Sequence, residues 1–369
     1  MRVLHFYKTS FPDTMGGVEQ VINQIARGAN SLGVKTDVLS LTPDRVPCTI
    51  EIDGYLAHRA RLDFQVASTG FSLSAFLRFA QLAKQVDVIH YHFPWPFMDV
   101  AHFATRVKNP TVVTYHSDII HQKNLLKFYK PLMWKFLGSM NHIVATSPNY
   151  IETSDVLAKY HRKVSVIPIG LDKATYPQPR VECSKFWQKK IGPKFFLFVG
   201  VLRYYKGLHI LLEAAQGTDY PIVIVGAGPI ENELKIKAIQ LGLRNIHFLG
   251  HLPDEDKVAL LELCYAFVFP SHLRSEAFGI SLLEAAMYGK PMISSEIGTG
   301  TTFINIVDET GLVVPPDPAA LRQAMQYLWE HPEQATEMGR RAEERYWRNF
   351  TAEQMVGKYV KLYYELAGK

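Results

Sequence analysis

Cysteine is scarce in this chain: Cys48, Cys183 and Cys264 are the only three in 369 residues, far apart and without paired spacing. That excludes a disulfide framework and a cysteine zinc site, and it fits a reducing cytosol. No apolar stretch approaches the ~20 residues needed to span a bilayer. The opening residues, Met1-Arg2-Val3-Leu4-His5-Phe6-Tyr7-Lys8, hold too short an apolar run for a secretory signal. Low-complexity tracts are missing as well. So is a full glycine-rich dinucleotide fingerprint: Gly226-Ala227-Gly228-Pro229 follows an apolar run but stops short of it, which argues against a nicotinamide dehydrogenase. The expectation is a cytoplasmic, globular protein without a nucleic-acid partner.

What is present is an ordinary globular balance, 47% apolar and 20% charged, in a length that suits two domains with separate cores. Charge is unevenly spread. Residues 1–180 carry 20 Lys and Arg against 13 Asp and Glu, together with nine of the 14 histidines, whereas the remainder carries 20 against 22. An anionic partner for the first half, a phosphate or a lipid headgroup, is the sharper reading of that imbalance.

Short β-branched and aromatic runs alternate with helical patterns throughout, the signature of parallel α/β sheets. Strands are expected at Val3–Tyr7, Thr36–Leu41, Asp87–Tyr91, Val112–Tyr115, His142–Thr146 and Val164–Ile167. A second series is expected at Phe195–Gly200, Ile222–Val225, Ile246–Leu249, Phe267–Phe269, Met292–Ser295 and Leu312–Val314. Between them Pro168-Ile169-Gly170-Leu171-Asp172 and the prolines at 177 and 179 read as an interdomain connection. The expected division is 1–170, 171–350 and a terminal helix over 351–369. Two doubly wound domains bind ligands in the crevice outside the carboxyl ends of their strands. That pattern selects no chemistry by itself.

The richest stretch runs from Pro270 to Ala286, off a strand and into a helix. Glu276 precedes the helix and can project from the strand's carboxyl end. Gly279 and the free N–H groups beside it suit a phosphate. Ile280, Leu283 and Met287 define a core-facing stripe, with Glu284 flanking it, where a carboxylate needs hydrogen-bond partners. Gly16-Gly17 open a helix where backbone can approach a phosphate closely. His116 ends a strand. Asp254-Glu255-Asp256 superficially matches a metal-binding carboxylate pair, but Asp254 after Pro253 reads better as a helix cap. Over His121–Met140, Lys123, Lys127 and Lys130 share one helical face among aromatic and aliphatic residues, a candidate membrane or acceptor surface. Pro131 is expected to break or kink that helix. His90-Tyr91-His92-Phe93 follows another strand and could line the acceptor side, although the two histidines are not good metal spacing by themselves.

These motifs, taken together, resemble a known family. Glu276 and Glu284, with seven residues between them, within Glu-Ala-Phe-Gly-Ile-Ser-Leu-Leu-Glu-Ala-Ala-Met-Tyr-Gly-Lys-Pro, are similar to the retaining glycosyltransferases of family 4, of GT-B fold. Further anchors are Gly16-Gly17-Val18-Glu19, Tyr115-His116-Ser117-Asp118, Ile167-Pro168-Ile169-Gly170-Leu171-Asp172, Lys206-Gly207, Gly226-Ala227-Gly228-Pro229 and Thr310-Gly311-Leu312-Val313. The resemblance covers nearly the whole chain. It implies two Rossmann-like domains facing a central cleft, with acceptor binding in the first, sugar-nucleotide binding in the second, and the terminal helix packing back toward the first.

In this reading Glu284 binds ribose hydroxyls, and Glu276 lies against the donor sugar. Phe278, Gly279 and Ile280 help bind the donor. Lys206 and Arg203 neutralise the departing diphosphate. His116 contacts the donor sugar. One departure stands out: the family's arginine directly follows the strand-ending glycine, but Gly200 is followed by Val201, so Arg203 is the substitute. No obligatory metal or cofactor is expected. The implied activity is retaining transfer of a hexose, with mannose from GDP-mannose the leading expectation, onto a saccharide acceptor that is polyprenyl-linked, at the inner face of the membrane, in surface-polysaccharide synthesis. UDP-sugars stay open as donors, and a non-catalytic two-domain sugar sensor is the rival from another class.

Overall fold

The computed structural model describes residues 1–44, 48–66, 69–119 and 123–369, with residues 123–126 described by their backbone alone. The chain divides into two compact units, Met1–Gly170 with Ala352–Lys369, and Leu171–Thr351.

In the first unit the strands are β1 Arg2–Phe6, β2 Lys35–Thr42, β3 Cys48–Ile52, β4 Tyr55–Arg61, β5 Phe64–Val66, β6 Thr69–Phe71, β7 Val88–Phe93, β8 Thr111–Tyr115, β9 His142–Ala145 and β10 Val164–Val166. The helices are α1 Gly17–Ser31, α2 Leu73–Leu82, α3 Pro96–Ala104, α4 Lys123–Ser139, α5 Pro148–Thr153 and α6 Asp155–Lys159. Eight strands form one sheet in the order β10-β9-β8-β7-β1-β2-β4-β3. All neighbours are parallel except β3 and β4. The edge hairpin β3–β4 was not expected. Its two-residue turn is Asp53-Gly54, both with positive φ, the backbone that matches a hairpin's right-handed twist. Pro131 does not break α4, which continues through it, because the buried face of Met133, Phe136 and Leu137 outweighs one lost backbone bond.

The second unit carries β11 Phe196–Val199, β12 Ile222–Val225, β13 Ile246–Gly250, β14 Ala266–Phe269, β15 Met292–Ser295 and β16 Gly311–Val314. Around them lie α7 Val181–Ile191, α8 Leu208–Ala215, α9 Glu231–Gln240, α10 Asp254–Leu263, α11 Ile280–Met287, α12 Thr301–Ile304, α13 Pro318–Glu330 and α14 Pro332–Asn349. The sheet order is β13-β12-β11-β14-β15-β16, all parallel. This is the doubly wound 3-2-1-4-5-6 order, whose direction reverses between β11 and β14. Strands such as β12, Ile-Val-Ile-Val, are wholly buried, as a sheet covered on both faces requires. Local signals start the helices: Asp317 accepts from the N–H groups of Ala319 and Ala320 ahead of α13, with Pro318 in its first turn.

The chain then returns to the first unit as α15, Ala352–Ala367, which packs on α1 and β7 with Met355, Val356, Tyr359 and Tyr363 buried. Among the described residues no helix is long and apolar enough to cross a membrane.

Candidate active site

In the second unit the loops after β11 and β14 flank the reversal of strand order, the position where such sheets bind ligands. The loop after β11 ends in one 3-10 turn, Tyr204–Lys206, followed by Gly207 in the left-handed region at φ 70°. A Cβ on Gly207 would collide with the carbonyl oxygen of Pro270 in the facing loop. Glycine therefore permits a contact that no other residue could make. The His272 N–H donates to the Tyr205 carbonyl at 3.0 Å and ties the same two loops.

This close approach brings Lys206 against Glu276. The ammonium donates to Glu276 Oε2, and Ser271 Oγ donates to the same oxygen at 3.2 Å. Lys206 is 9% exposed and Glu276 8%, so each charge depends on the other for most of its compensation. The ammonium also sits 4.9 Å from the Phe269 ring centroid. Arg203, on the same loop, is exposed and makes no side-chain hydrogen bond or ion pair among the described residues. Phe278 is buried. Gly279, at φ 96°, stands at the N-cap of α11, where no side chain caps the helix. Its first-turn N–H groups are left for an anion.

Within α11 burial differs from the expected stripe. Leu282, Leu283, Ala285, Ala286 and Met287 are buried, whereas Ile280 is only half-buried, because α11 is enclosed by its neighbours on nearly every side. Glu284 is buried too, and protein groups satisfy one of its oxygens: Oε1 accepts from Tyr176 Oη at 2.9 Å and from Lys257 Nζ at 3.3 Å. Burial opposes the charge on Lys257, yet Glu284 and Asp254 hold its pKa above the ordinary lysine value. Glu284 Oε2 accepts nothing among the described residues. It is also absent from the sealed, partnerless atoms, so it stays open to a hydroxyl. Tyr176 and Lys257 had not been singled out.

The acidic run at 254–256 opens α10 differently from expectation. Pro253 holds the N-cap position and Asp254 lies in the first turn, because proline's fixed φ already suits the cap. Asp254 pairs with Lys257, Glu255 with Arg180, and Asp256 accepts from Trp187 Nε1 at 2.7 Å.

In the first unit Gly16 is the N-cap of α1 and Gly17 its first residue. The Glu19 carboxylate lies where a Gly16 Cβ would stand and accepts from Thr14 Oγ1 at 3.0 Å. A negative group already occupies this helix end, so a phosphate there would have to displace it. His116 lies just past β8 and is 8% exposed, its backbone N–H donating to the Phe93 carbonyl. Asp118 accepts from Tyr115 and Ser154 hydroxyls, both at 2.8 Å.

His116 is one end of a buried histidine row. Its Nε2 is 2.9 Å from His92 Nδ1, and His92 Nε2 is 3.0 Å from His5 Nδ1. His90, beside them, shares hydrogen bonds of 2.7 Å with Tyr363 Oη and Thr114 Oγ1. Strand register produces the row, since His5 pairs with His90 across β1 and β7 and His92 with Thr114 across β7 and β8. His90 and His92 are fully buried, which excludes the acceptor-lining role expected of them. Burial pushes the pKa of His5 and His116 down to about 3 and those of His90 and His92 well below the usual imidazole range. All four rings are neutral near pH 7.

On α4, Lys127 and Lys130 are exposed on either side of Phe128, which is 86% exposed. His121 lies outside the described residues, and so does the Lys123 side chain.

Two doubly wound sheets in tandem, with a buried lysine–glutamate pair at the reversal point of the second, define a GT-B glycosyltransferase. Two family models match in succession, Glycosyltransferase Family 4 over residues 15–175 and Glycosyl transferases group 1 over residues 181–345. The chain belongs to glycosyltransferase family 4. It is 65% identical to the D-rhamnosyltransferase WbpZ of Pseudomonas aeruginosa, over 95% of this chain and 93% of that protein. It is 49% identical to the O-antigen chain mannosyltransferase C of Escherichia coli, over 98% of each. Among solved structures, sucrose-phosphate synthase from Thermosynechococcus elongatus superposes with a TM-score of 0.82 at 21% identity, covering 100% of this chain and 99% of the other. That likeness is one of fold.

Proposed function

We propose that this glycosyltransferase transfers a sugar of manno configuration from its GDP derivative, with retention of configuration, to a lipid-linked saccharide in O-antigen synthesis. Mannose from GDP-mannose is one donor. The other is its 6-deoxy counterpart, D-rhamnose, favoured by the 65% identity to a D-rhamnosyltransferase. The observation that carries the catalytic reading is the buried Lys206–Glu276 pair beside the uncapped end of α11. It sets a cation, a carboxylate and free N–H groups around one reversal point, the set a departing nucleoside diphosphate and its sugar require.

In the proposed reaction the bond from the sugar's anomeric carbon to the diphosphate oxygen breaks, and the acceptor oxygen bonds to that carbon on the same face. The acceptor's proton passes to the departing diphosphate. Lys206 and Arg203 stabilise the charge that grows there, Glu276 faces the sugar, Glu284 Oε2 accepts from the ribose, and His116 contacts the sugar. Phe278, Gly279 and Ile280 shape the donor site, and in the first unit Gly16-Gly17 offer backbone to a donor phosphate in place of the Glu19 carboxylate. No metal is required. The exposed trio Lys127, Phe128 and Lys130 supports docking on an anionic membrane, where a lipid-linked acceptor resides.

GDP release would be followed with GDP-mannose, GDP-D-rhamnose and UDP-glucose in the presence of chelator and a lipid-linked primer glycan. Release from a GDP-sugar, with an anomeric NMR signal matching the donor's configuration, is expected. Turnover of UDP-glucose alone, or dependence on a divalent ion, would refute the reading. For docking, flotation with phosphatidylglycerol vesicles should fall several-fold in Lys127→Glu/Lys130→Glu; unchanged flotation would remove the membrane face.

A further inference from the structure

The row of histidines in the first unit has an internal logic that goes beyond contact with substrate. Each neutral imidazole carries one N–H and one bare nitrogen. Each shared contact along His5–His92–His116 needs one donor and one acceptor. Three rings joined by two such contacts therefore have only two proton arrangements, and reversing one ring reverses all three. The rings run nearly parallel and edge to edge along the row, with centroids 5.3 Å apart at 20° for His5 and His92 and 5.2 Å at 21° for His92 and His116.

His5, His90 and His92 also bring ring nitrogens within 4.8 Å of one another, the spacing of a possible metal cluster. The geometry speaks against one. The nitrogens of these rings are already spent on one another and on their neighbours: His92 on His5 and His116, and His5 Nδ1 on His92. Both His90 nitrogens are also already engaged, by Tyr363 and Thr114.

The far end decides between the two arrangements. His5 Nε2 is sealed from solvent and has no partner. It is either an N–H with nothing to donate to or a lone pair with nothing to accept from. A stranded N–H forfeits a strong donor, and among backbone groups buried N–H donors without partners are rarer than under-satisfied acceptors; the same preference is applied to the ring nitrogen. A lone pair at His5 Nε2 makes His5 donate from Nδ1 to His92, His92 donate from Nδ1 to His116, and leaves the proton of His116 on its own Nδ1. That atom has no partner among the described residues and, unlike His5 Nε2, is not sealed.

We propose that His5 and His92 are positioning residues that lock His116 as a neutral imidazole with its proton on Nδ1, so that it presents a fixed N–H donor to its ligand. The proposal rests on the reading that His116 contacts the donor sugar. A neutral ring with a directed N–H holds a hydroxyl in place and gives up no proton. A ring free to flip would spend part of its time presenting a lone pair. Low imidazole pKa values, caused by burial, keep the row neutral over the working range.

The test uses the full chain labelled with 15N-histidine, with His116 assigned by comparison with His116→Gln. Long-range proton–nitrogen correlations at pH 7 should show His116 as the Nδ1–H tautomer. In His92→Leu the pattern should move to a mixture of tautomers, and in His92→Asn, whose amide N–H can stand in for the Nδ1–H of His92, it should return. Transfer activity should fall about tenfold in His92→Leu and recover to within about threefold in His92→Asn. If His92→Leu does not fold, His5→Leu and His5→Asn carry the same comparison. An imidazolium or an Nε2–H tautomer in the unaltered protein would overturn the proposal, as would a signal that His92→Leu leaves unmoved. Should the tautomers behave as expected while no nucleotide sugar turns over, the lock stands and the functional reading fails.

Discussion

Lys206 and Glu276 hold each other in a place largely closed to water, so removing either strands a charge. Lys206→Ala should cost about 3–5 kcal/mol of stability and lower kcat about a thousandfold, read by urea denaturation and by GDP release. Glu276→Gln, which removes the charge and keeps the shape, should still bind GDP; loss of binding would mean that Glu276 holds the nucleotide. The Tyr176 hydroxyl bond to Glu284 Oε1 leaves Oε2 for the ligand. Tyr176→Phe should therefore raise the donor KM several-fold with kcat nearly unchanged, at a stability cost of about 1 kcal/mol. A fall in kcat instead would place Tyr176 nearer the chemistry. Glu276, Lys206 and Glu284 were legible because they stand in short local patterns at strand and helix ends. Tyr176 and Lys257 were not, being 108 and 27 residues from the glutamate they serve. His5, His90 and His92 come together only through strand register, which a single chain does not announce.

Elements carried most of what could be read in advance. The buried parallel strands stand out as short runs rich in β-branched and aromatic residues, and eleven of the twelve expected ones differ from the observed bounds by no more than a residue at either end; the other, expected at Asp87–Tyr91, runs on to Phe93. The hairpin β3–β4 was missed although Asp53-Gly54 signals it, because its half-exposed, alternating residues lack the density of a central strand. At Pro131 the expected break did not occur, since packing of the helix outweighed a local rule. Gly207 is where an element's geometry decides function, since it lets the loop after β11 touch the loop after β14. Gly207→Ala would meet both a left-handed φ and the Pro270 carbonyl. It should cost about 1–3 kcal/mol and abolish measurable transfer while the far-UV spectrum stays intact. Near-normal turnover would mean that the loop contact is dispensable.

Across the whole molecule the four clustered histidines, together with buried His102, set a pH limit on one unit. Folded, their pKa values lie below the ordinary 6.5, at about 3 for His5 and His116. Between those values the unfolded chain binds the extra protons, so stability is full above pH 6.5 and falls as the pH drops toward 3. The slope is up to about 1.4 kcal/mol per pH unit for each ring. Among the described residues the second unit buries no histidine. Acid titration followed by circular dichroism and tryptophan fluorescence should therefore show two steps, the first unit melting near pH 5 and the second lower; one transition below pH 4 would contradict this. The return of α15 has a further consequence, for synthesis. Tyr359 and Tyr363, which close the histidine row, leave the ribosome after all of residues 171–351. The first unit can thus be finished only after the second has been made, and a stop codon just before residue 352 would spoil the domain encoded upstream of residue 171.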